Sequence, residues 1–417
     1  MISTNKISIH KFGGASVKNA EAVKNIAIIL KSHTPSSKTI VVVSAMGKTT
    51  NELEQVCAER DRESAVNKLQ AVAERHIAVS KELGLSVTFL LELQSLFILP
   101  IALDDVARYD ELVAIGELAS TKIIAEYLQQ DGHGAQWWDV RNTIITDSRH
   151  GSARVDEDQL IDYGVEMVRQ LDHCDTLVTQ GFIGISPHGR TTTLGREGSD
   201  YSAALLATAS GAKEVIIWKD VQGMHNADPN LFEDTVTIEK LDYSEALELS
   251  YYGASVIHPR TVKPLQNRGI PLFVKSFLNP DGLCTCIGDF PSLEITTPMY
   301  IYRPDVTCLS LGPSDHSFVG EDHLQTVFGA LAESCIHVRM MQNSAVRFEI
   351  TFDTDISKQK KFESELGSGF WSESRKNLEL LTVRHGTEEL IEKLSKGREI
   401  LMEQVNPSTT RRLLGKV

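Results

Sequence analysis

The chain is short of positive charge, aromatic residues and cysteine. Lysine and arginine number 42 against 56 aspartate and glutamate, a formal net charge of −14. A groove for a nucleic-acid backbone, which needs clustered cations, is therefore not expected. A chain this acidic that handles an anionic ligand must gather its positive charge locally. The 6 cysteines (Cys57, Cys174, Cys284, Cys286, Cys308, Cys335) show neither a disulfide framework nor zinc spacing. Cys284-x-Cys286 comes nearest to a metal pair, but no second Cys/His pair accompanies it, so no metal-ligating residues are expected. No apolar run is long enough to span a bilayer and no secretory signal is evident. A reduced, cytoplasmic setting without a membrane partner is the expectation.

With 417 residues, 41% hydrophobic and 24% charged, the chain suits two or three globular domains. The continuous apolar run Ile40–Val43 predicts a strand buried on both faces, and Thr176–Gln180, Val215–Trp218 and Leu272–Ser276 are further buried-strand candidates. Ile7–Lys11 reads as a short strand, and residues 51–130 as mostly helical, with Leu112, Ile115, Ala119 and Ile123 on one stripe. Alternating strands and helices imply α/β architecture around a mainly parallel sheet. The character changes near residue 290. Thr296–Pro298 reads as a linker or edge strand. Strand 306–312, helix 321–334, strands 336–341 and 345–352, and helix 356–365 then predict a smaller antiparallel α+β region. The domains are expected at 1–290 and 300–417.

Four segments carry candidate chemistry. In Lys11-Phe12-Gly13-Gly14-Ala15-Ser16, two glycines after a strand let the backbone approach a phosphate, with Lys11 a point charge at the strand end. The same pair read alone is a plain turn, and neither P-loop nor dinucleotide spacing is present. Ser44–Asn51 follows a buried strand and opens a helix, as an anion site or as an N-cap through Thr49 or Thr50. Gly189–Asp200 crowds glycines, hydroxyls, Arg190, Arg196 and Asp200 ahead of an alanine-rich helix. Arg196 suits bidentate binding of a carboxylate. Trp218–Gly223 ends a strand where open α/β sheets bind ligands, or is a simple turn.

In this order the segments resemble the aspartokinases of the amino-acid kinase superfamily. KFGGASV at 11–17, TQGFIG at 179–184, GRTTTLGREGSDYSAALLA at 189–207 and ELSYYGASVIHPRTVKP at 248–264 carry the resemblance, over roughly residues 5–285. It implies a three-layer αβα amino-acid kinase domain followed by an ACT-like regulatory region, fairly complete at about 306–365 and truncated beyond. It implies ATP with Mg²⁺, L-aspartate as acceptor, 4-phospho-L-aspartate as product at the entry to lysine, threonine and methionine synthesis, and a homodimer through the ACT-like region. Residue by residue, it implies that Lys11 stabilises the γ-phosphoryl and that Asp200 orders Lys11 and Mg²⁺. Gly13, Gly14 and Ser44 would line the phosphates, and Thr50 would lie between the two substrates. Glu117 would meet the aspartate amine, Arg196 its α-carboxylate with Ser199 beside it, and Asp220 the nucleotide. Read without the resemblance, Glu117 is also a solvated helix-face residue and Asp200 a helix cap.

The sequence departs from the family pattern on the nucleotide side. Lys219 replaces a threonine, His225 a tyrosine, Asn230 an arginine, and Ser255 a lysine. Lys219 would restore at the nucleotide site the charge that Ser255 lacks; the alternatives are weak nucleotide binding or a regulatory protein on a kinase fold. A kinase of another carboxylate or of a nucleotide is a further alternative, against which the Gly189–Asp200 segment and the ACT-like tail both speak. Arg339 stands where lysine-sensitive members carry an aspartate.

Overall fold

The computed structural model describes residues 7–34, 38–98, 107–254 and 257–415, and divides into two compact units. The first contains the chain to Met224, Thr237–Ser250 and the stretch to Leu293; the second contains His225–Val236, Tyr251–Ala254 and the chain from Glu294.

The first unit is built on an eight-stranded sheet. Its labelled strands are β1 (Ile7–Phe12), β2 (Lys38–Val43), β3 (Ala135–Trp138), β4 (Thr176–Gln180) and, beyond two short strands β5 (Ile183–Ile185) and β6 (Thr191–Thr193), β7 (Glu214–Lys219). The order is (240–242)-(285–288)-(272–276)-β7-β1-β2-β4-β3, and the six strands from 272–276 to β3 run parallel. The four candidate buried strands are all strands of this sheet. Helices cover both faces: α1 (Ala20–His33), α2 (Thr49–Ala58), α3 (Arg62–Glu82), α4 (Val87–Ser95), α5 (Arg108–Gln130), α6 (Glu157–Gln170) and α7 (Gly198–Ser210) precede two more at 243–252 and 259–268. The larger core joins α1, α3, α4 and α5 to Phe12, Val41, Val43, Val178 and Trp218 of the strands. The α7 helix packs on β1 from the other side. Because β1 lies between β2 and β7, the chain leaves it in both directions and a crevice opens at the strands' carboxyl ends.

Side-chain alternation decides what faces that crevice. Phe12 stacks on Trp218 in the larger core, at a centroid distance of 5.8 Å. Their chain neighbours Lys11 and Lys219 are therefore turned to the α7 side.

The second unit carries a six-stranded antiparallel sheet of order (338–343)-(348–353)-(299–313)-(370–384)-(409–414)-(400–406). Two 15-residue strands, Met299–Pro313 and Phe370–Arg384, pair along their whole length. One lobe packs helices 321–333 and 356–366 on Leu309, Ile350 and Phe352; the other packs helix 388–395 on Leu381, Val383 and Leu414. The tail contains two further strands, and its lobe takes Met299–Arg303 from upstream. Sequence reading starts the first strand of this region at 306, because Pro304 interrupts the pattern. The register shift between Arg303 and Val306 absorbs that proline where no ladder bond is needed.

Candidate active site

A cavity of about 590 Å³ opens at the carboxyl ends of β1, β2 and β7 and is walled by Lys11, Ser44, Thr50, Glu117, Arg196, Ser199, Asp200 and Lys219. Eight of the sequence-predicted residues thus come together. Gly13, Gly14 and Asp220 do not line it, and Ser255 lies outside the described residues. A Cβ on Gly14 would stand 2.8 Å from the Gly47 carbonyl and 2.9 Å from that of Ala45. That glycine is required by close packing of two loops. Asp220 is exposed. The departures His225 and Asn230 bond within their own segment, His225 to Thr235 at 3.2 Å and Asn230 to Asp228 at 2.9 Å.

Asp200, in the first turn of α7, receives the two lysines. Lys11 Nζ lies 2.6 Å from its Oδ1 and Lys219 Nζ 3.4 Å from its Oδ2. The carboxylate is 3% exposed. Burial alone would raise its pKa, but the charges and hydrogen bonds of Lys11 and Lys219 outweigh that and hold it below the usual carboxylate range. One buried anion therefore fixes two ammonium groups at the strand ends. This is the local concentration of positive charge that an acidic chain needs to receive a polyphosphate.

Glu117 is buried at 2% exposure, not on a solvated face. Gly116 makes this possible: a Cβ there would come within 2.9 Å of the Ala45 Cβ and 3.0 Å of the Thr49 Cγ2, so only glycine lets α5 press against the 44–49 loop. Ser120 Oγ clasps the same loop, donating to the Ser44 carbonyl at 2.9 Å. Burial pushes the Glu117 carboxyl up to about 8, against the opposing pull of the Ala45 N–H and the Lys11 charge. Its Oε2 is buried and has no hydrogen-bond partner among the described residues. An acceptor left in this state is made for a cationic donor that arrives with a ligand.

The hydroxyl-rich segment owes its composition to packing. Thr191, Thr192 and Thr193 are all buried on β6. Arg141 Nη1 donates to Thr191 at 2.9 Å, Thr146 and Thr192 share a bond of 2.6 Å, and Thr193 donates to Asp110 at 2.6 Å. This pinned strand delivers Arg196, exposed and without an ion pair among the described residues, to the cavity rim. Thr49 donates to the Met46 carbonyl and does not cap its helix, which leaves Thr50 on the wall.

The wall also contains Glu54, Tyr109, Phe182 and Glu197, with Gly151, Gly195 and Gly198, none of which sequence reasoning named as a site residue. Tyr109 donates to Glu54 at 2.8 Å. Phe182 and Glu197 hold left-handed backbone at φ 68° and 55°, a conformation that side-chain-bearing residues adopt only under constraint. Glu197 Oε2 is also buried without a partner among the described residues. Its signal in the sequence was an acidic residue inside the glycine turn Gly195–Gly198.

The amino acid kinase family model matches residues 6–276. The lysine-sensitive aspartokinase 3 of Escherichia coli K12 is 34% identical over 363 residues, covering 84% of this chain and 79% of that protein. The chain belongs to the aspartokinases of the amino acid kinase family. Two crystal structures of E. coli aspartokinase III, one with lysine and aspartate in the T-state and one with aspartate and ADP in the R-state, share the fold. Each superposes with a TM-score of 0.82 at 30% identity, covering 98% of this chain and 96% of theirs. Against this aspartokinase background, Lys219 beside Asp200 is the departure that the geometry explains most directly.

Proposed function

We propose that this chain transfers the γ-phosphoryl group of ATP to the side-chain carboxylate of L-aspartate, giving 4-phospho-L-aspartate, the first step of aspartate-family amino-acid synthesis. The observation that carries the reading is a single cavity walled both by a Lys11–Asp200–Lys219 cluster and by the unpaired Glu117 oxygen. The first suits transferring phosphoryl oxygens; the second suits an α-ammonium group, with Arg196 and Ser199 placed for the α-carboxylate. The acceptor is already a nucleophile and needs no general base. The chain's contribution is to align the two substrates in line and to offset charge on the equatorial oxygens. Thr50 and Ser44 line the same cavity. Mg²⁺ would supply charge neutralisation between the β- and γ-phosphates. Asp200 has both oxygens on lysines and orders them, whereas the unpartnered Oε2 of Glu197 fits a cation. ADP release measured with aspartate, glutamate, UMP and no acceptor tests the reading. Turnover with aspartate alone is expected, and turnover only with another acceptor rejects it.

Lys219 stands in for the lysine that Ser255 does not provide. Lys219→Thr is expected to raise KM for ATP and lower turnover, and adding Ser255→Lys to recover much of the loss. Two groups serving one phosphate should be non-additive by about 0.5–3 kcal/mol. A double variant no better than Lys219→Thr rejects charge relocation.

We further propose that the chain is a homodimer joined through an edge of the second unit's sheet, where strands 338–343 and 400–406 stand unpaired on one side among the described residues. This region should respond poorly to lysine. Arg339 donates to Asp353 at 2.6 Å, and Arg303 shares that carboxylate at 3.2 Å. Two guanidinium groups thus already hold the one acid, and an incoming ammonium meets net positive charge. Like charges at 4 Å repel by roughly 4 kcal/mol at an effective dielectric of 20, about three orders of magnitude in affinity. Strong inhibition by sub-millimolar lysine would refute this. An Arg339→Asp variant that stays insensitive would show that the effector site itself is missing.

A further inference from the structure

Asp110, near the start of α5, is fully buried at 0% exposure and has no part in the chemistry above. A carboxylate so placed must be saturated with hydrogen bonds, and it is. Its Oδ1 accepts from Thr193 Oγ1 at 2.6 Å and from the Gly151 N–H at 2.9 Å. Its Oδ2 lies 2.7 Å from His150 Nδ1 and 3.1 Å from the same Gly151 nitrogen.

Asp110 and these partners belong to three separate stretches of chain, each of which puts residues on the cavity wall. The first is α5 itself, which carries Glu117. The second is the loop 147–154, which carries Gly151. The third is β6, which leads to Gly195 and Arg196. The loop is closed on itself by the Asp147 N–H to the Arg154 carbonyl at 2.9 Å and the Arg154 N–H to Asp147 Oδ1 at 3.0 Å. The loop is joined to β6 by the Ala153 N–H to the Thr193 carbonyl at 2.8 Å. The lysines proposed to receive the phosphoryl group sit at the ends of β1 and β7, on strands other than the three stretches tied here.

We infer that Asp110 and His150 form a latch that sets the geometry of the acceptor side of the cavity, leaving the nucleotide side untouched. They are positioning residues: they tie together the segments that carry Glu117 and Arg196 to the cavity wall. The inference rests on the aspartate-kinase reading and assigns its acceptor half to a structural cause. His150 is the member to probe, because its side chain is 17% exposed and its loss spares the core.

His150→Phe keeps the ring and deletes the donor. It is expected to raise KM for aspartate about tenfold, the scale of one hydrogen bond to a charged group, with KM for ATP within about twofold. His150→Asn, whose amide nitrogen can replace Nδ1, should restore most of the loss. Amide exchange at Gly151 should accelerate in the phenylalanine variant and not in the asparagine one. Asp110→Asn should show the same split more strongly, with a lowered Tm. Equal rises in both KM values, or no rise in either, overturn the latch. If the wild-type chain releases no ADP with aspartate, the functional reading itself fails, and unchanged Gly151 exchange in His150→Phe then overturns the latch separately.

Discussion

Lys11→Ala should lower kcat by about two to three orders of magnitude, the scale of removing one preorganised charge from a transition state. Lys11 Nζ is 8% exposed as part of its residue and fixed at 2.6 Å from Asp200, so no reorganisation is needed when charge develops on the phosphoryl oxygens. Its removal also leaves Asp200 with Lys219 alone at 3.4 Å. Arg196→Ala should fail differently. Arg196 is exposed at the rim, and the α-carboxylate it suits does not change charge during the reaction. Loss of such uniform binding should raise KM for aspartate with kcat little changed. Steady-state kinetics with each substrate varied in turn separates the two. Equal loss of kcat at unchanged KM in both variants would show that the roles are misassigned.

Aspartate affinity should climb about tenfold per pH unit between pH 6 and 8, because binding an ammonium group to Glu117 first requires that carboxyl to lose its proton. Burial raises it from 4.5 to about 8 in the free protein. At neutral pH the free site therefore holds a neutral acid, and binding should release close to one proton. The sign for folding is fixed by the same shift. The native state binds the proton more tightly than the unfolded chain, so this group's contribution is full below pH 4.5 and is lost as pH rises through 8. Calorimetry at pH 7 in two buffers of different ionisation enthalpy measures the released proton directly. Glu117→Gln should flatten the pH dependence and weaken aspartate binding at pH 8. A binding constant independent of pH in the wild type would exclude Glu117 as the ammonium partner.

The parallel sheet was legible because some of its strands announce themselves by short apolar runs, as Ile40–Val43 and Val215–Trp218 do. The second unit was less legible. Pro304 breaks the pattern of a strand that continues past it through a bulge, and pairing of Met299–Arg303 with residues more than seventy positions away has no local signature. Lys11, Arg196 and Asp200 could be picked out because each belongs to a compact motif. Glu54 and Tyr109 could not, since they occupy ordinary helix positions and become wall residues only when distant segments close around them.

By itself, the sequence determined five strands of the first sheet, the alternation that turns Lys11 away from Phe12, and the order of motifs that marks the family. Those properties are written in near neighbours, where a period of two or a short motif suffices. Only the tertiary structure decided that Glu117 is buried and unpaired, that Lys219 completes a cluster with Asp200, and that Asp110 ties three segments together. Each of these depends on desolvation or on a contact between residues far apart in the chain. Neither quantity exists until the sheet has brought those segments within hydrogen-bonding distance.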